Sequence, residues 1–133
     1  MTIVADASVV VAALIDGGPD GAWAERLIAS EPLLAPHLML MEAGNILRRA
    51  SIGREVSDDI ASLAYGDLLD LTVELLPFEP FAGRIWELRQ TVTVYDAWYV
   101  AIAERFTLPL ATLDGRLANA PGVRCAFHMP LAR

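Results

Sequence analysis

Apolar and polar positions alternate along this chain in blocks that predict short strands separated by helices. Short apolar runs bounded by Gly, Pro, Asp or Ser predict strands over residues 2–5, 33–35, 73–78, 110–113 and 124–129. Apolar residues that recur every three or four positions predict helices over 9–14, 22–29, 37–51, 81–91, 95–105 and 116–120, and one more that begins at 57–59. Strands that alternate with helices in this way are typical of a parallel sheet covered on both faces.

The periodicity also predicts which side chains of the amphipathic helices face the core. In the helix over 22–29, Trp23 falls on the inner side. In the helix over 81–91, the predicted inward residues are Ile85, Trp86 and Leu88. In the helix that begins at 57–59, they are Ile60, Leu63, Ala64, Leu68 and Leu71.

The helix over 95–105 is apolar nearly all round, and such a helix is normally buried. Asp96 lies in its first turn, on the stripe that continues through Val100 and Ala103, so we expect this carboxylate to face inward. Asp114 follows the next apolar strand, at the position where open α/β sheets bind their ligands. A carboxylate on a buried helix and another at a strand end both indicate a functional site.

Two further acids occupy similar positions. Asp6 follows the first strand and, like Ser8, is a good residue to begin a helix, so a plain capping role and a functional role both stay open. Glu42 lies beside the apolar stripe of the helix over 37–51, one turn before Asn45, although a surface glutamate is the ordinary alternative. That helix ends in a cluster of cations that complement the helix dipole or contact phosphate: Arg48, Arg49 and Arg54.

Composition and charge limit the class of protein. The 133 residues fit one domain, 1–133, and no apolar run approaches the roughly 20 residues that span a bilayer. The 55% hydrophobic content and mean hydropathy of +0.43 predict an apolar patch for self-association or a protein partner. The single cysteine, Cys125, excludes an internal disulfide, and the first residues contain no basic signal-peptide segment, which fits a cytoplasmic protein.

The net charge of −7 argues against nucleic-acid binding over the whole surface but leaves room for a local site. Two divalent cations would change the formal charge from −7 to −3. All ten basic residues are arginine, which suits bidentate phosphate contact, although genomic composition bias explains the same usage.

Four acids gathered in one crevice would repel one another and raise some of their pKa values. A hard divalent cation relieves this repulsion, and Mg²⁺ and Mn²⁺ prefer oxygen ligands. No Cys and His cluster indicates zinc, because His37 and His128 lack the spacing of metal ligands. A site of this kind suits phosphodiester hydrolysis with a metal-activated water. Ser8 and Thr112 are candidates to hold a metal-bound water or a ligand carboxylate from behind, although plain strand and capping usage is the ordinary alternative and is favoured for Ser8.

Four segments together resemble a known family. They are VADAS at 4–8, MEAGNIL at 41–47, YDAWYVAIA at 95–103 and ATLDGRL at 111–117. In this order and spacing they resemble the PIN domain and, within it, the VapC-type ribonuclease toxins of type II toxin–antitoxin systems. The likeness covers essentially the whole chain.

The resemblance implies a three-layer α/β/α sandwich with a parallel sheet of four to five strands in the order 3-2-1-4-5. It also implies an endoribonuclease that needs Mg²⁺ or Mn²⁺, forms a homodimer and is silenced by a VapB-type antitoxin. The family's catalytic, metal-binding acids match Asp6, Glu42, Asp96 and Asp114, with Ser8, Asn45 and Thr112 beside them. Some family members carry a further acid after the Asp114 position, where this chain has Asn119.

Two other functions stay open on the sequence. A PIN-like domain without catalysis would act as a protein-interaction module, although all four acids are present. A receiver-like domain would use Asp6 as phosphoacceptor, but such a site needs a lysine, and this chain has none.

Overall fold

A five-stranded, fully parallel sheet forms the centre of the computed structural model, which describes residues 1–131. The strand order is β3-β2-β1-β4-β5, which confirms the predicted topology. The strands are β1 Ile3–Ala5, β2 Leu33–Pro36, β3 Glu74–Leu76, β4 Leu110–Ala111 and β5 Phe127–His128. In this order β1 lies between β2 and β4. The first three strands are therefore added towards one edge of the sheet, and β4 and β5 are added towards the other.

The helices form two layers. They are α1 Ala7–Ile15, α2 Pro19–Ser30, α3 Met39–Ile52, α4 Asp58–Leu69, α5 Ala82–Glu87, α6 Val94–Phe106 and α7 Gly115–Ala118. The first four pack on one another, whereas α6 packs on α5 and on strands β1, β2 and β4. Crossovers between parallel strands are right-handed as a rule, so connections that run in opposite directions from β1 place their helices on opposite faces of the sheet. This arrangement is the predicted three-layer sandwich. Within residues 1–131, no helix is long and apolar enough to cross a membrane.

Helix α6 is the buried helix that the sequence predicts. Its residues 97–103 are all buried, and Val100, Ile102 and Ala103 are completely inaccessible to solvent. The Thr93 hydroxyl caps the first turn by accepting a hydrogen bond from the Asp96 N–H at 3.2 Å. Burying one Val or Ile side chain stabilises a fold by roughly 1.5–3 kcal/mol, so this helix anchors its whole layer.

Helix α4 corrects the predicted core. Ile60 and Leu63 are exposed, and the buried stripe consists of Ala61, Ala64 and Leu68. Small residues face inward because α4 packs closely against α1 and α3. The ring of Tyr65 approaches so near to α3 that a Cβ at Gly44 would lie 3.2 Å from it.

The segment after β3 also differs from the prediction. A 3-10 turn over Glu79–Phe81 precedes α5, which ends at Glu87 although the predicted helix runs to residue 91. Ile85 and Leu88 are buried as predicted, but Trp86 is 62% exposed, with the Arg89 guanidinium 4.6 Å from its ring centre. A short helix buries only one narrow stripe, which leaves Trp86 on the outside. Trp23 is half-buried against the core, with its ring edge-to-face on His128.

An ion-pair cluster fastens the connection before β5 to the α5–α6 layer. The Arg84 guanidinium donates to both Glu104 carboxylate oxygens, at 2.7 and 3.2 Å, and to the Gly122 carbonyl at 2.7 Å. The Arg124 N–H donates to the same carboxylate at 2.7 Å. Burial alone would raise the pKa of Glu104, but the hydrogen bonds from Arg84 and Arg124 hold it below the ordinary value.

We expect Glu104→Gln to lower the free energy of unfolding by about 1–3 kcal/mol at neutral pH, because it removes charge-assisted hydrogen bonds. A pKa that is lower in the folded protein stabilises it above the ordinary glutamate value of 4.5, and this contribution disappears as the pH falls below that value. The difference between variant and wild type in urea unfolding therefore shrinks on acidification. Glu87→Gln is the control, since Glu87 pairs with the same arginine on the exposed side. Equal effects of the two substitutions would contradict this account.

Candidate active site

The ends of β1 and β4 form the floor of the candidate site. The Asp6 N–H donates to the Ala111 carbonyl at 3.1 Å, which joins the two strands at their carboxyl ends. Asp6 then caps α1, because its carboxylate accepts a hydrogen bond from the Val9 N–H at 3.1 Å. Asp114 follows β4 and caps α7 in the same way. The capping role and a position at the strand ends therefore coexist in both residues.

Two hydroxyls hold the Asp6 carboxylate, which is almost fully buried. The Ser8 hydroxyl donates to Oδ1 at 2.6 Å and accepts the Leu113 N–H at 3.3 Å. The fully buried Thr112 hydroxyl donates to Oδ2 and accepts the Asp114 N–H at 3.0 Å. Each hydroxyl thus bridges the two strand ends, and the orientation of the carboxylate is fixed.

The other two acids come from helices of opposite layers. Glu42 lies in the first turn of α3, and Asp96 lies in the first turn of α6. The hydroxyl of the buried Tyr99, one turn after Asp96, donates to Glu42 Oε1 at 2.7 Å. This bond links α6 to α3 across the end of β1.

One cavity of about 280 Å³ brings the predicted acids together, since Asp6, Glu42, Asp96 and Asp114 all line it. Ser8 and Asn45 line it as well, whereas Thr112 lies behind Asp6. Asn119 does not take part: its side-chain amide donates to the Gly115 carbonyl of its own helix at 2.8 Å.

Burial and, after it, the crowding of like charges shift the titration of Asp6, Glu42 and Asp96. The pKa of Asp6 is raised above its ordinary value, mainly by burial and further by the charge of Asp96. Burial and the charges of Asp96 and Asp6 raise the pKa of Glu42, against the hydrogen bond from Tyr99. Burial and the charge of Asp114 raise the pKa of Asp96. Ionised carboxylates in this cavity therefore destabilise one another unless a positive charge joins them.

The side chains that line this cavity offer carboxylate, hydroxyl and amide oxygens as possible metal ligands. Such oxygen atoms suit a hard cation rather than zinc. No group of three Asp, Glu, His or Cys side chains among residues 1–131 is arranged to hold a metal ion as it stands. Oxygen ligands of this kind are the ones that Mg²⁺ and Mn²⁺ prefer, and Mg²⁺ in phosphate-handling sites typically takes only one or two carboxylates.

The sequence indicates no role for one residue of this region, Tyr99. Tyr99 holds Glu42, and its position three residues after Asp96 places both on one face of α6, which is the one signal that points to it. Arg49, one of the cations predicted to cluster at the end of α3, also lines the cavity, whereas its neighbours in that cluster lie elsewhere: Arg48 faces a groove between α3 and α4, and Arg54 lies beside the turn that follows α3.

We expect Asp96→Asn to stabilise the protein in the presence of EDTA, by about 1 kcal/mol, because it removes a partly buried charge that repels its neighbours. An acid with a raised pKa favours folding at low pH and loses this contribution as the pH rises through the raised value. The gain should therefore be small near the ordinary aspartate pKa value of 3.8 and grow as the pH rises through the raised value, measured as the urea midpoint. The exposed Glu55 provides the control Glu55→Gln. A destabilised Asp96→Asn would contradict the predicted repulsion.

Comparison with known proteins shows the family to which the chain belongs. A PIN domain family model matches residues 3–123. Ribonuclease VapC1 of Mycobacterium tuberculosis is 41% identical over 127 residues, which cover 95% of this chain and 96% of that protein. The crystal structure of PAE2754 from Pyrobaculum aerophilum has a TM-score of 0.69 at 26% identity, covering 96% of this chain and 83% of the other. VapBC-5 of Mycobacterium tuberculosis, a member of the VapBC family of toxin–antitoxin systems, has a TM-score of 0.56 at 23% identity, covering 96% of both chains. The chain therefore belongs to the PIN-domain family and is a relative of the VapC ribonucleases within it.

Proposed function

We propose that this protein is an endoribonuclease that hydrolyses RNA phosphodiester bonds, and that it is the toxin of a toxin–antitoxin pair acting in the cytoplasm. The observation that carries the proposal is the meeting of four carboxylates, from four separate segments, in one cavity at the carboxyl ends of β1 and β4. The 41% identity to a VapC ribonuclease over nearly the whole chain supports the same activity.

We propose Mg²⁺ or Mn²⁺ as the cofactor, with Asp6, Glu42, Asp96 and Asp114 as the residues that would hold it. A divalent cation supplies positive charge that polarises the phosphate and lowers the pKa of the attacking water. The protein's own contribution is orientation. Ser8 and Thr112 fix both oxygens of Asp6, and Tyr99 fixes Glu42, so the carboxylates keep their positions despite their mutual repulsion.

We propose a VapB-type antitoxin as the protein partner and a second copy of the chain as the homodimer mate. The structural neighbour VapBC-5 is a member of a family of toxin–antitoxin systems, which supports the antitoxin as a partner. Exposed apolar side chains on α3 and α4 supply a surface of the kind that a protein partner covers, since Met41, Leu63 and Tyr65 are 73%, 71% and 51% exposed.

A cleavage assay with purified protein and total RNA tests the proposed activity. We expect cleavage with Mg²⁺ or Mn²⁺, loss of cleavage with EDTA, and a loss of about 100-fold or more in Asp96→Asn, which exceeds the usual cost of removing an outer partner of a metal ligand. Expression of the wild type should arrest bacterial growth and Asp96→Asn should not. The control Glu55→Gln should cleave normally. Wild-type protein that cleaves no RNA with either metal would instead indicate a catalytically silent interaction module.

Substitutions of Thr112 test whether the orientation of the Asp6 carboxylate matters for cleavage. Thr112→Val keeps the shape of this fully buried side chain but removes the hydroxyl that donates to Asp6. We expect cleavage to fall by about 10–100-fold, the typical cost of removing an outer hydrogen bond to a metal ligand. Thr112→Ser keeps the hydroxyl and should retain most of the activity. The same large loss in both variants would indicate a packing defect rather than lost orientation.

A further inference from the structure

Two arginines flank the acidic cavity without the contacts that a structural arginine makes. Within the described chain, the guanidinium of Arg49 has no hydrogen bond and no ion pair, although it lines the cavity that four carboxylates share. Arg116 lines a second cavity that shares Asp96 and Asp114, and its side chain is 97% exposed, with its Nε 3.9 Å from Asp114 Oδ1, a single long contact. An arginine that neutralises a carboxylate normally forms a bidentate pair at shorter distance. Arg84 with Glu104 in this protein is an example of such a pair.

The two arginines line two neighbouring cavities, which share one pair of acids. Asp96 and Asp114 line the 280 Å³ cavity, and they also line a second cavity of about 300 Å³. Arg49 belongs to the first cavity, and Arg116 to the second. A chain molecule that occupies both cavities therefore crosses the Asp96–Asp114 pair with one arginine on each side of it.

We propose that Arg49 and Arg116 bind backbone phosphates of single-stranded RNA on opposite sides of the bond to be cleaved. This inference rests on the proposed ribonuclease function. The planar guanidinium donates two parallel hydrogen bonds to a phosphate, and both side chains are exposed for this contact. Each cavity has the size of a small-ligand site, which suits an unstacked nucleotide and not a duplex.

The local electrostatics explain why such contacts are needed. The chain carries a net charge of −7, and the carboxylates of the site repel a phosphodiester. A cation bound by these carboxylates would attract only the phosphate that it touches, because screening limits its reach to about 10 Å at 0.1 M salt. The neighbouring phosphates of the strand need separate positive groups, and Arg49 and Arg116 stand where the strand enters and leaves. Both are therefore positioning residues, which fix the position of the RNA strand relative to the acids.

The salt dependence of RNA binding tests this assignment directly. Binding of a fluorescent single-stranded RNA is measured by anisotropy at several salt concentrations in an Asp96→Asn background, in which we expect no cleavage. Adding Arg49→Gln or Arg116→Gln should weaken binding several-fold and reduce the slope of log K against log [salt] by about 0.7 for each arginine, the value for one lost single-strand phosphate contact. Arg49→Lys and Arg116→Lys should restore the slope, because they keep the charge.

Arg26→Gln is the matched control, since Arg26 is exposed on α2 and lines neither cavity. If the slope of log K against log [salt] in Arg49→Gln equals the slope in Arg26→Gln, the proposed role of Arg49 is wrong. The same comparison decides the role of Arg116. Thermal unfolding without RNA should not change in either variant, and a large loss of stability would overturn the positioning role in favour of a structural one. Failure of the proposed function gives a different result: the wild-type protein with both arginines would neither cleave nor bind RNA in Mg²⁺ or Mn²⁺.

Discussion

The hydrogen-bonded junction between the ends of β1 and β4 is the constraint on which the rest of the structure depends. A buried carboxylate costs several kcal/mol unless its oxygens are satisfied, and here the hydroxyls of Ser8 and Thr112 satisfy Asp6 from the two strand ends. The same hydroxyls accept the N–H groups of Leu113 and Asp114. The chain therefore leaves β4 in a direction fixed by Asp6, and Asp114 comes to the same cavity as a consequence.

The two helix layers around this junction each present one carboxylate to the cavity. Helix α6 is buried over residues 97–103 and joins the sheet by apolar contact, which leaves its amino-terminal turn free to present Asp96 to the cavity. Helix α3 presents Glu42 from the other layer, and the bond from Tyr99 ties the two helices together. The apolar packing of α6 thus offsets the repulsion between the acids. The buried residues 97–103 of this helix stabilise the fold, whereas its first turn carries the acid of the site.

The sequence predicted the regular parts of the fold because their signals are local. The apolar runs of the strands and the all-round apolar helix α6 are read within a few residues, and the strand order followed from the family likeness. Ile60, Leu63 and Trp86 were wrongly assigned to the core, because periodicity gives a stripe but not the distance to the neighbouring helix. The Tyr99–Glu42 bond joins residues 57 positions apart, so no local pattern could indicate it.

The excess of acid over the whole chain is consistent with a site that accepts a polyanion. A surface of net charge −7 binds nucleic acid weakly wherever no positive group is concentrated, because non-specific binding rests on released counterions. On the proposal above, affinity arises where Arg49 and Arg116 face the two cavities, beside a cation that the carboxylates would hold. A more basic chain would bind RNA along its whole length and spend little time with a phosphodiester over the acids. The acidic composition therefore favours binding of the strand at the acids over non-specific binding along the surface, and in our proposal the two arginines supply this selectivity.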